Sequence, residues 1–320
     1  MKHVLTCLTA AFVLFSTGLS AQQEKTEREP GHYNTNKFKQ LYEGFATPNT
    51  YRTASGAPGP DYYQQQADYV MDIRLDDENA RIYGEETITY TNNSPDALEF
   101  LWVQLDQNVR AKDSKAPLRN GSGVNLAYTP DNFTQNFMGE SFDGGFNIEW
   151  VKDSRGAALP HVINFTMMRV DLPAPLLSGQ SYSFSIKWWY NIPDHTVNRA
   201  RSGYEYFPED GNRAYVIAQF FPRMAVYSDV EGWQNHQFWG SGEFALPFGN
   251  YDVSITVPED HILDATGVLL NRKQVFSKEM MKRYEEAQKS YDKPVLIVTQ
   301  EEAEAAEKSF ATKTKTWKFR

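Results

Sequence analysis

The side chains that most often run chemistry at fixed spacing are histidines, and this 320-residue chain has six of them. His3, His32, His161, His195, His236 and His261 are scattered, and no two stand at the i, i+4 spacing by which an H-E-x-x-H helix presents two nitrogens to one metal. The sequence therefore offers no metal ligand set and no catalytic residue. It also lacks the G-x-S-x-G elbow of a hydrolase, a phosphate-cradling P-loop and a dinucleotide fingerprint after a strand. Asp76, Asp77 and Glu78 suggest calcium, yet they lack the glycine and distal glutamate of an EF-hand loop and read as a solvated turn. Glu85 and Glu86 are adjacent in a strand pattern, so they face opposite sides of a sheet and cannot pair as acid and base.

Aromatic side chains are the other candidates. Trp188, Trp189, Tyr190, Trp233, Phe238 and Trp239 either form a stacking platform for sugars or fill the space between two sheets. The second reading is favoured because Trp188 and Tyr190 continue an alternating apolar face.

The elements that must position these residues are mostly strands. Ala67, Tyr69, Met71, Ile73 and Leu75 alternate with polar neighbours, a turn falls at Asp76 to Asn79, and Ile82, Gly84, Glu86, Ile88 and Tyr90 mark a second strand that pairs with the first as a hairpin. Further strands are expected at Leu98 to Leu105, Val162 to Leu172, Ser181 to Tyr190, Ala214 to Phe221 and Tyr251 to Val257. In the stretch at Ser181, Tyr182, Phe184, Ile186, Trp188 and Tyr190 face one way and the serines and Lys187 the other. Residues 106–160 carry few periodic runs and read as a long loop region with short strands. Helical segments are expected over about 277–310: Met280, Tyr284, Ala287 and Tyr291 recur at helical spacing, Thr299 with Glu302 has the form of a capping box before Ala303 to Phe310, and a short strand at Val295 to Val298 separates the two. The fold class is all-β, an antiparallel sandwich with a small α-helical insertion near the C-terminus.

The organisation expected is a signal peptide over 1–21, a polar linker over 22–60 with at most a short helix at Phe38 to Phe45, and a β domain over 61–320. Lys2, the apolar run Val4 to Leu19 and the small residues Ser20 and Ala21 point to export with cleavage after Ala21, to the periplasm or beyond. Interruptions at Thr6, Thr9 and Ser16 to Gly18 make that run shorter than the ~20 residues of a membrane span. Cys7 is the sole cysteine, so the mature chain must fold without disulfides. A net charge of −9 argues against nucleic acid and anionic membrane as main partners.

Ala218 to Gly267, AQFFPRMAVYSDVEGWQNHQFWGSGEFALPFGNYDVSITVPEDHILDATG, resembles the N-terminal domain of aminopeptidase N-like (gluzincin) zinc metallopeptidases, in particular a secreted bacterial branch. Upstream, YYQQQADYVMDIRLDDENARIYGEETITYTNNSPDALEFLWVQLDQN looks like that domain's opening hairpin and following strand; downstream, KPVLIVTQEEAEAAEKSF and KTKTWKFR look like the run-up to the catalytic domain. The resemblance covers roughly residues 62–320. It implies a saddle-shaped antiparallel sheet that packs against a catalytic domain of the same polypeptide and covers one side of its cleft. In the family that later domain holds zinc through two His and one Glu, and it removes N-terminal residues from peptide substrates; none of those ligands can be assigned to a residue of this sequence. The domain's own contribution in many relatives is a Gln with a Glu two places on, lining the pocket for the first substrate residue. Gln219 falls on the Gln position and Phe221 stands where the Glu would be, so Gln219 is either a side-chain contact to substrate or a residue that satisfies backbone groups at a strand end. The chain also stops inside a strand pattern, where Trp317 and Phe319 are expected to leave an apolar patch. The rival readings are an exported β-sandwich binding module for carbohydrate or protein, and a non-catalytic scaffold.

Overall fold

Alternation of apolar and polar residues becomes sheet in the computed structural model, which describes residues 48–120, 127–133, 142–198, 202–242 and 245–320. The expected signal peptide, most of the linker and the helix at Phe38 to Phe45 lie outside the described residues. Strands β1 (Gln66–Asp76) and β2 (Arg81–Thr91) form the expected hairpin, with Tyr69 opposite Ile88 and Ile73 opposite Gly84. Its turn uses the Asp76 carboxylate locally, accepting from the Asn79 amide at 3.1 Å, which is the solvated-turn role rather than a cation site.

The remaining strands are β3 (Leu98–Gln104), β4 (Asn147–Asp153), β5 (His161–Asn164), β6 (Met167–Leu176), β7 (Ser181–Asn191), β8 (Gly203–Phe207), β9 (Asn212–Val216), β10 (Arg223–Met224), β11 (Tyr227–Ser228), β12 (Gly232–Trp233), β13 (Tyr251–Pro258) and β14 (Thr314–Phe319). A six-stranded sheet runs β14-β13-β1-β2-β7-β4, and a four-stranded sheet, β10-β3-β6-β5, packs on it. The core between them is built from Met71 and Ile73 on β1, Ile88 and Tyr90 on β2, Leu101 and Val103 on β3, Val170 on β6, and Phe184, Ile186 and Trp188 on β7. On the outer face, hydroxyl pairs Thr87–Ser185, Thr89–Ser183 and Thr91–Ser181 cross from β2 to β7 at 2.8 Å each. The result is an all-β sandwich with a small helical part. One pair departs from the antiparallel pattern: β1 and β13 run parallel, with Tyr69 beside Tyr251 and Ile73 beside Ile255.

Several boundaries differ from the expectation. The single strand expected at Val162 to Leu172 is a hairpin, β5 and β6, broken at Phe165, whose φ is 52°. Tertiary bonds hold the break: Asn108 Nδ2 donates to the Phe165 carbonyl at 2.7 Å, and the Thr166 amide and hydroxyl both donate to Gln237 Oε1 at 2.8 Å. The strand expected at Ala214 to Phe221 stops at Val216 and pairs only with β8. No strand forms at Val295 to Val298, where Leu296 is exposed. Helix Lys278–Ala287 ends before Tyr291, which is exposed, and helix Gln300–Ala306 starts at the expected capping box, Thr299 Oγ1 accepting from the Glu302 amide at 3.3 Å while Glu302 Oε2 accepts from the Thr299 amide at 3.0 Å.

Trp317 and Phe319 leave no apolar patch: both are buried. They pack with Val257, Leu269 and Val275, and Phe276 meets the Trp317 ring edge-on at 5.9 Å. The cover is supplied by residues 268–275, laid along the outer edge of β14 through Val268 amide to Arg320 carbonyl (2.7 Å) and Leu270 amide to Lys318 carbonyl (2.7 Å). Residues 48–60, within the stretch read as linker, are fastened by Arg52, whose guanidinium meets both oxygens of the buried Asp229 carboxylate at 2.9 to 3.2 Å.

Candidate functional site

The core under the four-stranded sheet takes in β1, β2, β7 and Val151 of β4, while most of β13 is left only partly covered. Inner-face residues Tyr251, Val253 and Ile255 on β13 remain half-buried. Above them lies a groove of about 1490 Å³, floored by β1 and β13. Strand β9 with Phe220 and Phe221 forms one wall, the loop Asp260 to Gly267 another, and Ala303, Ala306 and Phe310 close one end. Pockets that enclose one small ligand are commonly about 300–1,000 Å³, so this apolar-floored groove suits a larger occupant.

A charged cluster pins the hairpin over the groove. Tyr215 Oη donates to Asp77 Oδ1 at 2.7 Å, and Arg213 Nη1 donates to the Asp77 carbonyl at 2.6 Å. His261 Nδ1 lies 3.1 Å from Asp260 Oδ1, and Asp260 Oδ2 accepts from the Ala311 amide at 2.5 Å. Burial pushes the Tyr215 phenol well above its ordinary value, and the bonded Asp77 carboxylate adds to that. For Asp260 burial acts upward, but the Ala311 amide and His261 outweigh it and hold the carboxyl below its ordinary range. These residues join the first turn, the hairpin and the segment after β13, with Asp260 committed to bonds of its own; their role is architectural.

Gln219 precedes the Phe220–Phe221 wall and is not itself among the groove-lining residues; it is exposed, with its backbone in the left-handed region at φ 52°. Its carbonyl, not its side chain, is what the fold grips: buried Gln107 Nε2 donates to the Gln219 carbonyl at 2.9 Å and to the Ala218 carbonyl at 3.4 Å. Phe221 turns inward, edge-on to Tyr69 at 5.5 Å and to Tyr251 at 6.2 Å. An ionised glutamate in that apolar slot would be desolvated. The position two residues after Gln219 is therefore built for packing.

Sequence reading missed Gln107, which lies in the 3-10 helix Asp106–Arg110 inside the stretch taken as loop. It also passed over a buried acid. Glu86 is 1% exposed on the inner face of β2, and neither its oxygens nor the nearby Trp188 indole nitrogen completes a hydrogen bond. Burial drives the Glu86 carboxyl well above its ordinary value, and the opposing influence of Trp188 does not overcome it. The strand pattern had already placed Glu86 on the face of Ile82, Ile88 and Tyr90. A second buried acid, Asp106, is paired with Arg223, and burial still raises it above its ordinary value against the pull of that partner.

The aromatic candidates do not form a coplanar row. Trp188 and Tyr190 are core. Trp189 on the outer face is roofed by the Arg81 guanidinium at 4.3 Å, Trp233 packs against Tyr90 and Tyr227, Phe238 is buried, and Trp239 lies between Phe165 and Arg119. Among the described residues no three His, Cys, Asp or Glu side chains converge as a metal site, so the residues present do not fit a zinc ion. No helix among the described residues is long and apolar enough to cross a membrane.

No family model matches the sequence, and no curated protein matches it. Among solved structures, the chain is similar to an M1 zinc metallopeptidase from Deinococcus radiodurans. A mutant of that protein aligns at 15% identity and a TM-score of 0.35 over 67% of this chain and 37% of that one. The same mutant bound to a Tyr-Ser-Ala substrate gives 15% identity, a TM-score of 0.35, and 67% and 38% coverage. The unsubstituted protein gives 13% identity, a TM-score of 0.35, and 67% and 37% coverage. The chain thus spans well under half the length of these structures.

Proposed function

We propose that this chain is the non-catalytic β-sandwich part of an exported zinc aminopeptidase, which removes N-terminal residues from peptides, and that the groove is where the catalytic domain of the same polypeptide seats. The observation that carries the reading is the half-buried apolar floor of Val253 and Ile255 under a groove of about 1490 Å³, a sheet face patterned like core and left with a cover on one side only. The sequence resemblance supports it from a second direction, because Ala218 to Gly267 supplies the Phe220–Phe221 wall, the β13 floor and the Asp260 to Gly267 loop. Zinc belongs to the catalytic domain in this reading, and no step is assigned to a metal on this chain. With Trp189 roofed by arginine and Trp188 and Tyr190 buried, these three described residues do not serve the sugar-binding alternative as a platform.

The test is to express the reading frame through and beyond Arg320. The extended polypeptide is expected to carry an H-E-x-x-H helix, to hold one zinc and to release N-terminal residues, while residues 22–320 alone retain no zinc after dialysis and cleave nothing. A tight one-to-one zinc site in residues 22–320, or a stop codon directly after Arg320, overturns the proposal. Export is checked by mass spectrometry of protein recovered outside the cytoplasm, where Gln22 is the expected first residue and an intact Met1 refutes cleavage.

A further inference from the structure

Gln219 pays for a conformation that its own side chain does not need. A non-glycine residue in the left-handed region is strained, and such strain persists where the surrounding structure over-determines it, commonly at sites that must present a group in one orientation. Among the described residues the Gln219 side chain makes no hydrogen bond and is exposed, so the fold gains nothing from it directly. The constraint comes from below. Gln107 is 1% exposed and donates through Nε2 to two successive carbonyls, Gln219 at 2.9 Å and Ala218 at 3.4 Å. Its amide cannot be turned the other way, because Oε1 accepts from Arg110 Nη1 at 3.0 Å and arginine only donates. Beyond Gln219, Phe220 and Phe221 pack edge-on to each other at 5.1 Å and anchor the chain on the core. The crest is thus fixed by a buried amide on one side and two aromatic rings on the other.

We infer that Gln107 is a positioning residue: with its orientation set by Arg110, it locks the left-handed crest and so holds the Gln219 side chain outward beside the Phe220–Phe221 wall of the groove. The lock is a property of this chain; its use in selecting the first substrate residue rests on the aminopeptidase reading above.

The experiment separates the two. Cys7 is the only cysteine and lies in the expected leader, so Gln219→Cys in residues 22–320 takes a single spin label. Gln107→Glu keeps an acceptor for Arg110 but replaces the donating amide with an oxygen that repels both carbonyls; Gln107→Met removes the donor without adding charge, should the carboxylate prevent folding. The expected result is a label at 219 that is immobile in the parent and several-fold more mobile in either variant, while a label at Ser181→Cys on the outer face of β7 is unchanged. A 219 label equally immobile in both variants, or loosening of both labels together, overturns the inference. In the extended enzyme, Gln107→Met is expected to raise KM for the preferred first residues about fivefold to tenfold with kcat little changed, in parallel with Gln219→Ala. If Gln219→Ala leaves a panel of aminoacyl substrates unaffected while the label responds, the substrate role of Gln219 falls and the lock stands.

Discussion

Replacing Gly84 by alanine tests the packing between β2 and β7 most directly. A Cβ at Gly84 would lie 2.2 Å from Cζ2 of Trp188, 2.4 Å from Cε2 and 2.7 Å from Cη2. Comfortable carbon contacts are about 3.5–4.0 Å, so the ring must retreat by more than about 1 Å. It has nowhere to go: Trp188 is fully buried, Phe146 meets it edge-on at 5.4 Å, and Tyr190 stacks at 6.0 Å. Alanine is worth about 0.5–1 kcal/mol over glycine in a strand interior, whereas overpacking costs about 1–3 kcal/mol or more, and a clash with a rigid indole belongs at the upper end. The expected net loss is about 2–3 kcal/mol, or a Tm lower by roughly 3–6 °C for a domain of this size. Urea unfolding followed by tryptophan fluorescence, with calorimetry for Tm, measures it. Trp188→Leu should cost less in the Gly84→Ala background than in the parent, because the clash is already paid. A Gly84→Ala protein within about 0.5 kcal/mol of the parent would refute the close-packed geometry.

Glu86→Gln should stabilise the protein in a pH-dependent way. With the folded carboxyl raised by burial, both states are protonated below the ordinary glutamate value and the variant matches the parent there; above it only the unfolded chain ionises, so parent stability falls relative to the variant by about 1.4 kcal/mol per pH unit until the folded group also ionises. Denaturation of both proteins from pH 4 to pH 8 checks this, and a constant difference would contradict it. Gln219→Gly relieves the left-handed strain, and after the added flexibility of the unfolded chain a gain of up to about 1 kcal/mol is expected in the same assay. Thr299→Ala removes the capping box and should cost about 1 kcal/mol, concentrated in faster amide exchange over Gln300–Ala306 with the sheet unaffected.

What the sequence determined by itself is local. The strands around Ile73, Ile88 and Phe184 follow from period-two alternation, the parity of β2 put Glu86 on the buried face, and Thr299 with Glu302 marked a helix start, because each of these depends on neighbours a few residues away. The lack of a histidine pair was equally legible. Tertiary structure decided where distant segments supply the missing partner. β13 lies parallel beside β1 across the sheet, and the Val162 to Leu172 run is bent at Phe165 by bonds from Asn108 and Gln237. Residues 268–275 cover Trp317 and Phe319, which local pattern alone left bare. The Gln219 crest is the extreme case. Gln219 could be picked out by resemblance, but its conformation is set by Gln107, 112 residues earlier in the chain. A buried amide is directed by the donors and acceptors that the fold brings to it, and the residues adjacent to Gln107 and Gln219 carry no trace of that pairing.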